Sequence, residues 1–371
     1  MQRTLICSLI LLAAASAPAF AAERWINPLF KPLEMERRGF TTPILKLDNG
    51  GLITVDGNAV IISRDNGRTW PERRTIYAGP GADKPGAGIP SGSGQFFRTA
   101  DGVLVLVYRD ARVLNWDKDK GEAMEGSRGD VWSIRSLDGG KTWIDRHKIF
   151  EGICGHPPIN LIQTRNGNLV VPVQYYVNNP GRNVIKTYVS ADRGKSWRSG
   201  NTIDLGGHGH HDGAFEPTMV ELRDGRVWML IRTNWDHFWE AFSEDSGLTW
   251  RTIRPSRIEA STSPGYLVRL ASGRLALLFN ALYPEGQNTF ERRAGQYSNV
   301  PASWHREEVS ITLSEDDGQT WSRPVIIARE KGTWLSYAYL FEREPGLFWI
   351  FTGQGKVQVI GLEKDLVWWK Q

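Results

Sequence analysis

Ser63–Trp70 reads SRDNGRTW, and its reading decides the fold. The pattern Ser-x-Asp-x-Gly-x-Thr/Ser-Trp returns at Ser136–Trp143 (SLDGGKTW), Ser190–Trp197 (SADRGKSW), Ser243–Trp250 (SEDSGLTW) and Ser314–Trp321 (SEDDGQTW). Asp binds backbone N–H groups in a tight turn, and Gly supplies the positive φ the turn needs. The Trp is expected to plug the space beneath. Five copies of one turn describe a repeat architecture and assign these boxes a structural role. A fainter repeat interleaves with them. Apolar segments flank turns at Asn49-Gly50, Asp101-Gly102, Asn166-Gly167, Asp224-Gly225, Ser272-Gly273 and Pro345-Gly346, the pattern of β-hairpins. Each of the first five turns is followed by one box; the sixth is followed only by the C-terminal stretch Phe348–Trp369. The repeating unit is therefore strand, turn, strand, loop, strand, box, strand. Six such units predict an all-β, six-bladed propeller of four-stranded antiparallel blades. The sixth blade lacks a box, and the N-terminal segment is expected to close the ring by adding a strand to it.

Composition agrees. Of 371 residues, 16 are Trp and 39 Gly, 11% are aromatic and 23% charged. Such a chain is too aromatic for a disordered one. A net charge of +4 without a long Lys/Arg block excludes nucleic acid as the expected partner. Residues 1–21 read as an export signal: Arg3, an apolar run from Leu5 to Ala17, and the small-x-small site Ala19-Phe20-Ala21. The run is too short to span a bilayer, so no membrane anchor is expected after cleavage. The mature chain, 22–371, reads as one domain, periplasmic or secreted. It keeps only Cys154, so no intramolecular disulfide is expected and the core alone must hold the fold.

The turns also locate a mouth. In an antiparallel hairpin, residues equally far from the turn lie at the same end. Nine positions before each turn glycine stand Thr41, Ser93, Pro158, Glu216, Pro264 and Tyr337; seven after stand Gly57, Arg109, Gln174, Arg232, Asn280 and Gly353. Asp56 and Asp110 adjoin two of these. A ring of Glu, Tyr, Arg, Asp, Gln and Asn around one opening makes a polar site.

The five boxes are those of the sialidase (neuraminidase) superfamily, which the chain resembles over nearly its whole mature length. The resemblance implies a glycoside hydrolase acting on a terminal acidic sugar. Glu216, in Phe215-Glu-Pro-Thr-Met-Val-Glu-Leu-Arg-Asp-Gly, resembles the glutamate that polarises the family's tyrosine nucleophile. Arg232, in Met229-Leu-Ile-Arg-Thr, and Arg306, eight residues before the last box, resemble its carboxylate-binding arginines. Tyr337, in Ser336-Tyr-Ala-Tyr-Leu, resembles the nucleophile, with Tyr339 the neighbouring alternative. Asp56 falls roughly where the acid/base aspartate belongs. The chain departs from the family at Phe40-Thr41-Thr42-Pro43: Thr41 stands where the first arginine of a triad is expected, with Arg37, Arg38 or Arg109 as candidate substitutes.

These residue types form a coherent chemistry. Sialic acid carries its carboxylate on the anomeric carbon, where a carboxylate nucleophile would be repelled and a neutral Tyr is not; tyrosine-using sialidases are a known exception to the two-carboxylate scheme. The phenol needs a base within reach, and arginines grip the sugar's carboxylate. No metal or cofactor is required. The expected substrate contacts are Arg232, Arg306, Arg109, Asp110, Gln174, Asn280, His211 and His156. A cluster at His208, His210, His211 and Asp212 has no standard zinc spacing. It keeps two rivals open: a polysaccharide lyase or non-sialic glycosidase with His211 or His156 moving the proton, and a non-catalytic glycan-binding propeller.

Overall fold

The computed structural model describes residues 23–36, 42–76 and 94–366, with the backbone alone at 111 and 112. The leader and the positions of Arg37, Arg38, Thr41 and Ser93 lie outside the described residues. Alternating apolar runs make the blades. In the first, Leu45–Lys46, Leu52–Asp56, Ala59–Ser63 and Glu72–Thr75 pair in sequence order, each antiparallel to the last. The central strands LITVD and AVIIS are buried almost throughout because neighbouring blades cover both faces. The outermost, ERRT, alternates half-buried and exposed. Six blades of four antiparallel strands, the first five within residues 45–75, 94–150, 162–203, 215–259 and 266–329 and the sixth made of three strands within 338–362 plus Lys31–Pro32, form a six-bladed β-propeller. The only helical segment among the described residues is a single 3-10 turn, Glu363–Leu366, so no described helix is long and apolar enough to cross a membrane.

The ring closes as the sequence suggests, with one addition. Lys31–Pro32 pairs with Gln358–Leu362 to complete the sixth blade. Just before it, Trp25–Ile26 pairs with Val325–Arg329 as a fifth strand of the fifth blade. The N-terminal strap thus spans two blades, and Phe30 packs so closely on Gly361 that a Cβ there would lie 2.7 Å from its ring.

Each box joins the third and fourth strands of its blade. In the fourth blade, Ser243 Oγ donates to Asp245 Oδ1 at 2.8 Å and accepts from Gly247 N at 2.8 Å. Thr249 N donates to Asp245 Oδ1 at 2.7 Å. Trp250 is buried, and its Nε1 donates to Thr187 Oγ1 of the third blade at 2.9 Å. The box glycines press on the preceding blade: a Cβ on Gly247 would meet Val170 at 2.5 Å, and one on Gly318 would meet Trp228 at 2.5 Å. Boxes and first turns therefore share one face, which leaves the opposite mouth to the strand ends counted above.

Candidate active site

At that mouth the innermost strands and the loops entering them enclose a cavity of 440 Å³, lined by Arg109, His156, Pro158, Pro264, Tyr337 and Gln354 among others. Of the positions counted from the turns, Arg109, Pro158, Pro264, Tyr337 and Gly353 line it, and Glu216 and Arg232 stand directly behind Tyr337. The Tyr337 hydroxyl donates to Glu216 Oε1 at 2.7 Å. The other carboxylate oxygen accepts from Arg232 Nη1 at 2.5 Å. Residues 121 positions apart thus meet through one hydrogen bond. Both Glu216 and Tyr337 have positive φ, 45° and 57°. Each such non-glycine conformation costs about 1–3 kcal/mol and persists where surrounding contacts over-determine it. For Glu216 one such contact is Gln174, whose Oε1 accepts from the Glu216 backbone N–H at 2.8 Å.

The two arginines are held by a common threonine. Arg232 donates through Nε and Nη2 to Thr262 Oγ1 at 3.2 and 3.1 Å. Arg306 donates through Nη2 to the Thr262 carbonyl at 2.5 Å and through Nη1 to Gln354 Oε1 at 3.2 Å. The Arg306 guanidinium lies 5.2 Å from the Trp304 ring and 4.7 Å from the Trp334 ring, a cation–π environment that fixes its plane. Among the described residues, Arg306 Nε and Arg109 Nε are buried without a partner. Buried donors are normally satisfied, so each of these guanidinium groups keeps an N–H that no protein acceptor takes up. Arg109 is anchored from its other end, with Nη1 donating to the Gly155 and Cys154 carbonyls.

Charge states follow from this packing. Burial opposes ionisation of Glu216, but Arg232, His156 and the Tyr337 hydroxyl together outweigh it and hold the carboxyl at about 2. Burial and the Glu216 charge push the Tyr337 phenol up. Burial, reinforced by Arg232, lowers Arg306 to about 10. Near neutrality the site is an ionised Glu216, a neutral Tyr337 and charged guanidinium groups.

The other predicted residues divide. His156 lines the cavity, its ring 4.9 Å from that of Tyr337 and its Nδ1 3.9 Å from Glu216 Oε1; burial pushes its pKa down. His211 sits behind the arginines, against Trp304 and Phe215, with Nδ1 2.8 Å from that of His210. Burial and the Arg232 charge lower it to about 2. Asp110 is buried at the mouth end of Leu104–Val113, opposite Asp130. Asp56 is not among the residues lining the cavity; its carboxylate meets Arg73 at 2.6 Å. Asn280 is turned to structure, donating to the Glu308 and Leu335 carbonyls at 2.6 and 2.9 Å and accepting from Ser263 Oγ at 2.6 Å. Tyr339 also lines the cavity, with its ring packed into the apolar core and stacked on that of Phe351 at 4.9 Å. Thr262, Trp304, Trp334 and Gln354 escaped the sequence reading. Gln354 follows a counted position by one residue, and Thr262 precedes another by two. No three His, Cys, Asp or Glu side chains gather as metal ligands among the described residues.

With this geometry in hand, comparison with known proteins is informative. The BNR repeat-like domain family matches residues 59–350. The chain belongs to that family. It thereby joins the sialidase and BNR-repeat propeller superfamily. Two sialidases are similar in sequence. One, from Micromonospora viridifaciens, is 24% identical over 302 residues, covering 77% of this chain and 43% of the relative. The other, from Paraclostridium sordellii, is 25% identical over 226 residues, covering 55% of this chain and 51% of the relative. The BNR-repeat chain thus spans about half the length of these curated relatives. Among solved structures, a protein of unknown function from Dyadobacter fermentans superposes with a TM-score of 0.60 at 16% identity, covering 92% of this chain and 98% of its own. A Hadza microbial sialidase superposes at 0.58 and 18% identity, covering 87% and 65%. The NanB sialidase of Streptococcus pneumoniae does so at 0.55 and 16%, covering 92% and 71%. At these identities the structural likeness shows the fold alone.

Proposed function

We propose that this BNR-repeat propeller is an exported exo-glycosidase of the sialidase type, releasing a terminal acidic sugar from a glycan with Tyr337 as nucleophile. The observation that carries the reading is the 2.7 Å hydrogen bond from Tyr337 to a Glu216 held ionised by Arg232. The glutamate takes the phenol proton as the phenol oxygen bonds to the anomeric carbon and the glycosidic bond breaks. Water then displaces the tyrosyl ether oxygen, losing a proton to the carboxylate left when the leaving oxygen was protonated, and Glu216 returns the phenol proton to Tyr337. A neutral phenol avoids the repulsion a carboxylate nucleophile would meet beside the sugar's own carboxylate. That carboxylate is gripped by Arg306 and Arg109, whose unpartnered Nε–H groups it satisfies. Arg109 serves here as the third cation in a chain with Thr41 at the usual position. Arg232 holds Glu216 ionised and completes the positive field. The leaving oxygen takes its proton from a protonated carboxyl group, for which Asp56 and Asp110 are the candidates at the strand ends, although neither lines the cavity itself. The two are separated by leaving group: replacing the true acid by Asn slows an unactivated glycoside far more than an aryl glycoside whose phenolate departs unaided.

One observation favours a second reading. His156 and Tyr337 stand ring to ring beside Arg109, a set that also suits β-elimination from a uronate, with the arginine neutralising the carboxylate. One paired assay decides. Purified protein is offered a fluorogenic sialoside and a panel of uronic-acid polysaccharides. Fluorophore release that is lost in Tyr337→Phe supports the hydrolase; rising ultraviolet absorbance of unsaturated uronate supports elimination. Glycan binding without turnover on either overturns both and leaves a binding propeller.

A further inference from the structure

Arg306 meets the cavity through a neighbour. Gln354 lines the cavity, whereas neither Arg306 nor Arg232 is among its lining residues. Gln354 stands two residues beyond the strand Leu347–Thr352, and the backbone ties it to the segment that carries Tyr337. Its N–H donates to the Ser336 carbonyl at 3.0 Å, and the N–H of Gly353 donates to the Tyr337 carbonyl at 3.0 Å. A Cβ on Gly353 would lie 3.2 Å from that of Tyr337, so the two stretches run in close contact. Arg306 is held by the same segment, its carbonyl accepting from Leu335 N at 2.6 Å. Nucleophile, arginine and amide are thus fixed to one another by backbone bonds.

The polarity of the Gln354 amide is forced. Arg306 Nη1 lies 3.2 Å from one end of that amide, and a guanidinium can only donate. The end facing Arg306 is therefore the oxygen, and Ser336 Oγ donates to the same Oε1. Turning the amide over would set its N–H groups against those of the arginine. With Oε1 doubly engaged, the amide nitrogen is the group that Gln354 presents to the cavity it lines. Accepting from a cation and a hydroxyl polarises the amide and strengthens its N–H as a donor. Arg306 itself is otherwise committed: Nη2 donates to the Thr262 carbonyl and Nε is buried. Among the described residues no Asp or Glu lines the cavity, so no carboxylate of the protein competes for the Gln354 donor there.

We infer that Gln354 is a specificity-determining residue, whose amide N–H, polarised by Arg306, donates to the carboxylate of the acidic sugar at the cavity wall. A neutral side chain thereby carries part of the arginine's pull to a ligand that the guanidinium does not face directly. The group recognised is an acceptor: a carboxylate satisfies this N–H, and a ligand group that only donates does not. The inference rests on the reading of the cavity as an acidic-sugar site and names a contact by which that sugar is chosen.

The test is steady-state kinetics of the otherwise intact protein on a fluorogenic sialoside and a fluorogenic glucuronide, with thermal melts of each variant. Gln354→Met keeps the side chain's length and removes both polar ends. It is expected to raise KM about tenfold, the value of one hydrogen bond to a charged group, with kcat within about twofold, the mark of lost binding common to ground and transition states. Gln354→Glu keeps an oxygen for Arg306 and Ser336 and inverts only the group facing the cavity. It is expected to fold like the parent and to lose at least 100-fold in kcat/KM at neutral pH. Should Gln354→Met fail to fold, Gln354→Glu alone decides. A Gln354→Met protein with unchanged KM overturns the inference and leaves the cavity reading intact. So does a Gln354→Glu protein with parental kinetics, which would make Gln354 a brace for Arg306 alone. A parent that turns over neither glycoside overturns the cavity reading, and this inference with it.

Discussion

On the face that carries the Asp boxes, the same contacts recur blade after blade: Ser to Asp, Asp to Thr, Gly against the neighbouring blade. At the opposite mouth equivalent positions hold Pro158, Glu216, Pro264 and Tyr337, no blade repeating the part another plays in the chemistry. Both regions rest on identical strands. The difference teaches that the repeat secures the fold, while the candidate site arises where repeats diverge around a shared axis. The two faces should therefore respond oppositely to substitution, one in turnover and the other in stability.

The largest expected effect is at the mouth. Tyr337→Phe should reduce turnover by on the order of 10⁴-fold or more, the scale seen when a nucleophile is removed. Its melting temperature should stay near that of the parent, which steady-state kinetics and calorimetry together would establish. Retained activity would end the assignment of the two faces. Next comes Arg306→Lys. A point charge cannot reproduce the planar contact with Trp304 and Trp334 or the Nε–H donor, so kcat/KM should fall by about 10²-fold, the value of one or two charge-assisted hydrogen bonds. Most of this should appear in KM.

The box face gives the converse result. Gly247→Val introduces a side chain at φ 89° and 2.5 Å from Val170, so denaturant titration should show a loss of about 3 kcal/mol or more from strain and overpacking. The kcat of the remaining folded protein should be unaltered. Gly167→Ala has almost the same φ, 88°, but meets nothing within 4 Å, and should cost only about 1 kcal/mol. A kcat that moved with either glycine would blur the division between the faces.

The smallest effect is in pH. His156, His210 and His211 are kept neutral by burial, with His210 at about 4 and His211 at about 2. The unfolded chain protonates these histidines below about 6.5 while the folded chain does not. Stability is thus greatest above that value and declines as pH falls through it toward 4. Glu216 adds a second decline between 4.5 and about 2, because its folded carboxyl is also depressed. Replacing His210 and His211 by Gln should flatten the first decline alone in thermal melts followed across pH. An unchanged slope would show that these histidines are not buried as described.

How much was legible beforehand depends on the kind of contact. The boxes and Gly turns are local, each within eight residues, so the blades and the side holding the mouth could be counted directly. Glu216, Arg232, Arg306 and Tyr337 were legible as types at corresponding strand ends. Their mutual geometry was not, because Tyr337 and Glu216 belong to separate blades and meet only when the ring closes. Asn280 shows the limit of counting: it occupies the same strand-end position as Arg109 and Arg232, yet its amide is spent on the backbone of neighbouring segments. Trp304 and Trp334 were invisible as partners because they flank Arg306 from two stretches of chain.

Local chemistry alone determined that this chain would make six sheets, five of them pinned by Asp-box turns, since hydrophobic alternation and turn residues act over a few positions. Tertiary structure decided which polar residues share a basin, which carboxylate is ionised and which guanidinium groups keep an open N–H. Those properties depend on burial and on charges a few ångströms away, and burial is set by ring closure, not by neighbours in sequence.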